Sequence, residues 1–366
     1  MRHIAVLPAE NRDEWERFLT SQPSTPFLQS WTMGDVYADL SQPAVRLEIR
    51  IDDRLVGICF GHIVNARRGR HLSIPYGPVI EALDQEQTAA VLSRLMDELS
   101  RIAREKKCLF IRVSPYWRLD CASNEKTVYE HWVTEKRVGS HRIVPSPLHL
   151  LAEYVWMLPL KGKTEEMLLA GMRKTTRNLI RRAQKEGVTV RASKNPSEDL
   201  THFLSLHGET KNRHGFTPYS DAFFIAQVKR FSAENACTLY LAEYNGNVVS
   251  SSIHMHYGTE TSYHHGASTQ RFKVPASYLL QWHAITDALT RGDSTYNFWG
   301  IAPMIQEAPE EWKMLNESHP FAGVTLFKTG FGGSMAPLAH CMDVPLSPLY
   351  TLTRLLEVAR KYRRGF

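Results

Sequence analysis

No stretch of this 366-residue chain approaches the roughly 18 uninterrupted apolar residues that a bilayer-crossing helix needs, so no transmembrane helix is expected. The first residues, Met1 to Val6, run straight into Glu10, Arg12, Asp13 and Glu14, with none of the apolar core of a secretory leader. Cysteine is scarce: Cys59, Cys108, Cys121, Cys237 and Cys341 are scattered and odd in number. That pattern argues against a disulfide framework or a paired-cysteine zinc site and predicts reduced thiols in a cytosolic protein. Neither sign of charge dominates. Forty-four Lys and Arg against 38 Asp and Glu give +6, too small an excess to establish a nucleic-acid partner. What remains is 43% hydrophobic, 22% charged and 10% aromatic, the profile of a globular protein with room for two domains.

The basic residues are clustered. Arg173, Lys174, Arg177, Arg181, Arg182, Lys185 and Arg191 face one acid, Glu186, and the last seven residues hold Arg360, Lys361, Arg363 and Arg364. A solvated helix face is the ordinary reading of such runs, and an anionic partner is the sharper one. The first segment opens at Lys163-Thr164-Glu165-Glu166, an N-cap with acids in the first turn, and predicts one helix running to Gly187.

The order of elements occurs twice. Residues 46–64 alternate apolar and polar on both sides of Asp52-Asp53, and residues 238–256 do the same around Asn245-Gly246, which predicts two β-hairpins. Each is followed by a strand that breaks at glycine (72–80 and 262–268), an amphipathic helix (87–106 and 276–289) and a short buried strand (108–113 and 295–299). Helical segments precede both hairpins, at 13–19 with 30–40 and at 197–206 with 220–231. The pattern predicts an α/β (α+β) unit on a mixed sheet, present in two copies, with residues from Trp132 to Pro159 bridging them.

Five strings, in order along nearly the whole chain, carry a resemblance. They are Phe27-Leu-Gln-Ser-Trp-Thr-Met-Gly34, Leu72-Ser-Ile-Pro-Tyr-Gly-Pro-Val79, Arg173 to Val188, Tyr296-Asn-Phe-Trp-Gly-Ile301 and Phe321 to Gly333 with Phe327-Lys328 inside it. Together they resemble the FemABX family of peptidoglycan interpeptide-bridge aminoacyltransferases. The resemblance implies two tandem GNAT-like acyltransferase domains, placed here at 1–150 and 151–345, with 346–366 as a C-terminal basic amphipathic helix. It implies transfer of an amino acid from aminoacyl-tRNA to a side-chain amine on the stem peptide of a cell-wall precursor. Some members carry a long helical arm in the second domain. Only about twenty-five residues separate Gly187 from Arg213 here, broken by Asn195-Pro196, so this looks like an armless member.

An aminoacyl ester is already activated, so its aminolysis needs no metal and no organic cofactor. Proximity and charge stabilisation of the tetrahedral oxyanion carry the rate. The family places a Phe-Lys pair at that step, which implies Phe327 and Lys328 as catalytic residues, the lysine facing the developing charge. The resemblance places an acceptor-site tyrosine near Tyr116; Tyr263 and His264 are read as lining the transfer channel, and Tyr219 as a further substrate contact. Members that take a uridine-diphosphate-linked muropeptide use an early lysine and a later Arg with a Tyr. Here Gly34-Asp35-Val36-Tyr37 holds no lysine, and Tyr219 and Phe223 stand at the later pair, with Arg213 as a displaced cation. Arg173, Arg177 and Arg181 recur every four residues and are the expected tRNA contact. The two imidazoles His264 and His265 fall on opposite faces if their segment is a regular strand, and with no completing ligand spacing no metal is expected. The C-terminal helix either caps the second domain or touches the anionic inner membrane surface.

Expected partners are therefore aminoacyl-tRNA, a soluble UDP-linked or a lipid-linked precursor, and a peripheral membrane contact, for a cytoplasmic monomer. One rival is an N-acyltransferase that takes CoA or another thioester. Against it, the loop Arg271-Phe-Lys-Val-Pro-Ala276 has Val274 where glycine belongs and Pro275 without an N–H, and the first-half loop Glu81 to Gln87 is acidic. The other rival is a non-catalytic protein that binds precursors or tRNA.

Overall fold

The computed structural model describes residues 3–67, 69–148, 151–214, 219–308 and 311–364 (backbone only at 212–214 and 363–364). The chain forms two units, Met1–Glu153 with Ala336–Phe366, and Tyr154–Met335.

In the first unit β1 (Ile4–Pro8) leads to α1 (Arg12–Ser21), α2 (Trp31–Asp39) and the hairpin of β2 (Ala44–Ile51) and β3 (Arg54–Ala66). Asp52 and Asp53 turn the hairpin with φ of 48° and 65°, the left-handed pair that a tight two-residue turn needs. β4 (Gly69–Pro75) pairs with β3, β5 (Val79–Ile80) adds to β3, and β6 (Phe110–Ser114) lies parallel to β4. A parallel pair requires a crossover. α3 (Gln85–Glu105) supplies it, burying Val91, Leu92, Leu95 and Leu99 in the core. α4 (Asn124–Glu135) and the short β7 (Arg137–Val138), β8 (His141–Arg142) and β9 (Val144–Pro145) follow.

The second unit begins with β10 (Tyr154–Pro159), α5 (Glu165–Gly171), α6 (Lys174–Lys185), β11 (Thr189–Ala192), α7 (Pro196–His214) and α8 (Asp221–Ser232). The hairpin of β12 (Cys237–Tyr244) and β13 (Asn247–Tyr257) turns at Asn245 and Gly246, with φ of 49° and 72°, as in the first unit. Then come β14 (Glu260–Ser268), α9 (Ala276–Arg291), β15 (Thr295–Gly300), the hairpin of β16 (Met304–Ala308) and β17 (Glu311–Met314), α10 (Ala322–Thr329) and β18 (Ser334–Pro337). The chain returns to the first unit with β19 (Met342–Pro345) and α11 (Tyr350–Arg364).

The sheet orders are β1-β2-β3-β4-β6-β19-β9 and β11-β12-β13-β14-β15-β10-β18. In each, four antiparallel strands meet a fifth that runs parallel to the fourth, and a sixth runs antiparallel again. The duplication read from the sequence is therefore present strand for strand.

Three expectations need correction. The expected 151–345 domain does not hold together, because β19 pairs with β6 and belongs to the first unit. The C-terminal helix at 346–366 does not cap the second domain. α11 is fastened within the first unit, where the buried Arg112 guanidinium donates to both Asp343 oxygens (2.7 and 2.8 Å) and to Glu357 (2.7 Å). Finally, the predicted helix from Thr164 to Gly187 is two helices. Thr164 does cap α5 by accepting from the Met167 N–H, but the chain extends at Met172 and Arg173 before α6. Among the described residues no helix is long and apolar enough to cross a membrane.

Candidate functional site

β14 and β15 pair only over Glu260–Ser262 and Thr295–Asn297. Beyond those residues β14 stays with β13 and β15 stays with β10, so the two strands part. Tyr263, His264, His265 and Gly266 line one side of the opening, and Phe298, Trp299 and Gly300 the other. Trp299 sits at φ 65°, a conformation unfavourable for a bulky side chain, and its N–H is held by the Asn297 side chain at 2.8 Å. This turn frees the Gly300 carbonyl from a β14 partner.

Lys328 meets that carbonyl. It lies on α10, not on the glycine-rich turn that follows, and is buried at 7% exposure. Its Nζ donates to Gly300 O at 2.7 Å and stands 5.5 Å over the Tyr263 ring. Among the described residues no carboxylate pairs with it. Loss of hydration therefore dominates, and its pKa falls from the usual lysine range to about 7. Thr325, one turn earlier, accepts from the Ala302 N–H at 2.8 Å and pins α10 against the end of β15. Phe327 faces away from the ammonium and packs edge-on against Tyr278 (4.8 Å) and Phe331 (5.4 Å). In the predicted pair, then, the lysine enters the site and the phenylalanine anchors its helix.

Tyr263 stacks on His254 (5.3 Å), whose Nε2 bonds the Tyr296 hydroxyl at 2.7 Å, and that hydroxyl donates to Gln281 at 2.7 Å. Burial raises the Tyr263 hydroxyl to about 12 and lowers His264 to about 3, so both are neutral. A Cβ on Gly266 would stand only 1.8 Å from the Tyr263 hydroxyl, so glycine there makes room for the ring. His264 and His265 do not take opposite faces. A bulge pairs Ile253 with His265 and His254 with Tyr263, which leaves His264 extra and brings the two imidazoles to 3.9 Å. His264 lies edge-on to Trp299 at 4.9 Å. Tyr219 is partly exposed, stacked on Phe223 (4.2 Å) and edge-on to His265 (5.6 Å), so aromatic rings continue from the opening.

Tyr116 belongs to the first unit, where it is buried against Tyr76 at 4.8 Å. The Arg213 side chain falls outside the described residues. Arg173, Arg177 and Arg181 do not form one outward row. Arg173 is the N-cap residue of α6 and its guanidinium holds Thr329 Oγ1 (2.7 Å) and Leu326 O (3.3 Å) at the end of α10. Arg177 turns to the carbonyls of Leu169, Ala170 and Met172 that end α5. Arg181 is exposed, beside exposed Lys174 and Lys185 on the same helix.

A model of the FemAB family matches residues 11–254 and 244–358. The chain belongs to the FemAB family. Among curated relatives, Aminoacyltransferase FemA of Staphylococcus epidermidis is 21% identical, covering 78% of this chain and 82% of that protein. The Staphylococcus aureus FemA (strain MRSA252) is 21% identical over 77% and 81%. Of solved structures, FemX aligns with a TM-score of 0.77 and 17% identity over 96% of this chain and all of that one. A tandem GNAT protein from the clavulanic acid pathway aligns at 0.53 with 11% identity over 94% and 99%, a likeness of fold. As a FemAB protein the chain is an aminoacyltransferase.

The FemAB-like strings have local reasons. Gln29 is fully buried, donates to Phe60 O (3.0 Å) and Pro75 O (2.7 Å), and accepts from Phe60 N (2.8 Å), closing the first unit's sheet where β3 and β4 part. Gly77 has no room for a Cβ, which would stand 2.5 Å from the Gln29 amide. Where the early segment lacks a lysine, Arg46 crosses Gly34, lies 4.4 Å over Trp31 and pairs with Asp35 at 2.6 Å. Sequence reading missed Arg46, the Gly300 carbonyl and Tyr278, because none stands next to its partner in the chain.

The helix starts that would hold a pyrophosphate are unsuited to one. Pro275 is the N-cap residue of α9 and has no N–H to offer. At α3 the Asp84 carboxylate already accepts from Gln87 N at 2.7 Å.

Proposed function

We propose that this FemAB protein transfers an amino acid from aminoacyl-tRNA to a side-chain amine of a peptidoglycan precursor stem peptide, with Lys328 opposite the oxyanion. The attacking amine forms a C–N bond to the ester carbonyl carbon and the negative oxygen collapses. The C–O bond to the tRNA ribose then breaks, and the amine's proton leaves with that hydroxyl. What supports the reading is a buried lysine with a carbonyl partner and, among the described residues, no carboxylate, presented where two strands part. Such a lysine gains a full ion pair only when an anion forms beside it, so its attraction grows between ground state and transition state. Tyr263 supports the ammonium from its ring face and, being neutral, has a hydroxyl to donate to the same substrate.

The aminoacyl-tRNA is held, in this reading, through Lys174, Arg181 and Lys185, while Arg173 keeps α6 joined to the helix of Lys328. The aromatic run Tyr219, Phe223 and His265 meets the acceptor in this reading.

Transfer of labelled amino acid from each charged tRNA to soluble and lipid-linked precursors tests this directly. Lys328→Ala is expected to lower kcat by about 10²–10³ with little change in tRNA affinity. Equal turnover by wild type and variant would leave Lys328 without the role. Turnover with acetyl-CoA and none with any charged tRNA would transfer the reading to the thioester class, against which stand Pro275 and Asp84.

A further inference from the structure

We propose that the outward face of α11 docks this protein on an anionic lipid surface. The helix is polarised against the usual rule for a soluble surface helix, which turns its apolar stripe inward. Its inward residues are Tyr350, Thr353 and Glu357, all buried, Tyr350 against Phe110 with its hydroxyl on Asp343 and Glu357 on the Arg112 guanidinium, and no leucine is among them. Its outward residues are apolar: Leu352 (59% exposed), Leu355 (63%) and Leu356 (47%) follow exposed Leu349 and continue to Tyr362. Spacings of three and four residues place them on one face. The ion pair with Arg112 fixes which face looks out, so the stripe is a consequence of the fold.

A contiguous apolar stripe calls for an occupant, and charge says which. The single acid of α11, Glu357, is turned inward, so the outward face carries no negative charge. Lys361 is exposed near the stripe's end, and the sequence continues with Arg363 and Arg364. A second basic element lies alongside. Gly69 approaches α11 so closely that a Cβ there would stand 3.0 Å from Thr353 Oγ1, which brings the β3–β4 turn, with exposed Arg67, beside the helix. Leucines rimmed by cations match the acyl region and headgroups of an anionic bilayer. A second copy would set the same cations against each other.

Flotation of the full chain with vesicles tests this, without tRNA or precursor, so the result is independent of the transfer reaction. The protein is expected to float with vesicles of equal parts phosphatidylcholine and phosphatidylglycerol, to float less as salt rises, and to stay behind with phosphatidylcholine alone. The exposed triple variant Leu352→Ser, Leu355→Ser, Leu356→Ser is expected to keep the wild-type melting temperature and to bind on the order of 100-fold less. Arg67→Ser with Lys361→Ser is expected to weaken binding and flatten its salt dependence. Wild type that stays behind with the anionic vesicles, or a triple variant that floats as well as wild type, would overturn the proposal. So would a dimer that the triple variant dissociates in the absence of any flotation.

Discussion

In the proposed reaction, Lys328 links stability to chemistry. Its pKa is lowered on folding, so between about pH 7 and the ordinary lysine value the folded chain binds fewer protons than the unfolded one. The burial penalty is therefore complete below pH 7 and fades as pH rises. Lys328→Met is expected to raise stability by on the order of 2 kcal/mol at pH 6 and by less near pH 10, read from denaturant midpoints. Catalysis depends on the same proton. With the ammonium as the working form, kcat/KM rises with pH as the acceptor amine loses its proton, then levels off near pH 7, where loss of the Lys328 proton offsets that gain. Lys328→Ala should lack the break near pH 7 and keep rising above it, at a lower rate throughout. Gly266→Ala is expected to lower kcat with the fold intact, because its methyl displaces the Tyr263 ring from under the ammonium. Of these residues the lysine was legible, since its motif names it. The Gly300 carbonyl was not, because any residue carries one and only the left-handed turn at Trp299 exposes this one.

Elements were legible where period and turn chemistry agreed. Asp52-Asp53 and Asn245-Gly246 marked both hairpins because few residues tolerate φ near +50° twice in succession. The break between α5 and α6 was not legible. Gly171 just before Met172 is the local mark, but a lone glycine inside a helical pattern need not end it, and what fixes the break lies outside the run: Arg173 N donates to Gly330 O at 2.9 Å, and Arg177 satisfies the carbonyls that end α5. Gln29 acts at the same scale, one amide joining β3 to the end of β4. Gln29→Ala leaves Phe60 N, Phe60 O and Pro75 O without their partner and is expected to cost about 3 kcal/mol or more, measured by chemical denaturation. A cost under about 1 kcal/mol would show that water replaces the amide.

At the scale of the molecule, each unit repeats one strand order, but the first takes its sixth strand from the far end of the chain. Truncation at Ala336 removes β19 and α11 and leaves Arg112 buried without Asp343 and Glu357. It is expected to unfold the first unit, seen as loss of its protected amides in hydrogen exchange, and the smaller change Arg112→Met to cost about 3–5 kcal/mol. The boundary drawn at 345 failed for this reason: β19 has the pattern of any short buried strand, and its partner lies more than two hundred residues away. Local periodicity, turn residues and the five strings determined the duplicated α/β plan and the family, and singled out Lys328 as the candidate, because those depend on neighbours in the chain. Only the tertiary structure decided which strand completes which sheet, which arginines tie helices together rather than face solvent, and which side of α11 looks outward. Those outcomes depend on where burial leaves a charge or a carbonyl a partner, and the partner is set by the fold.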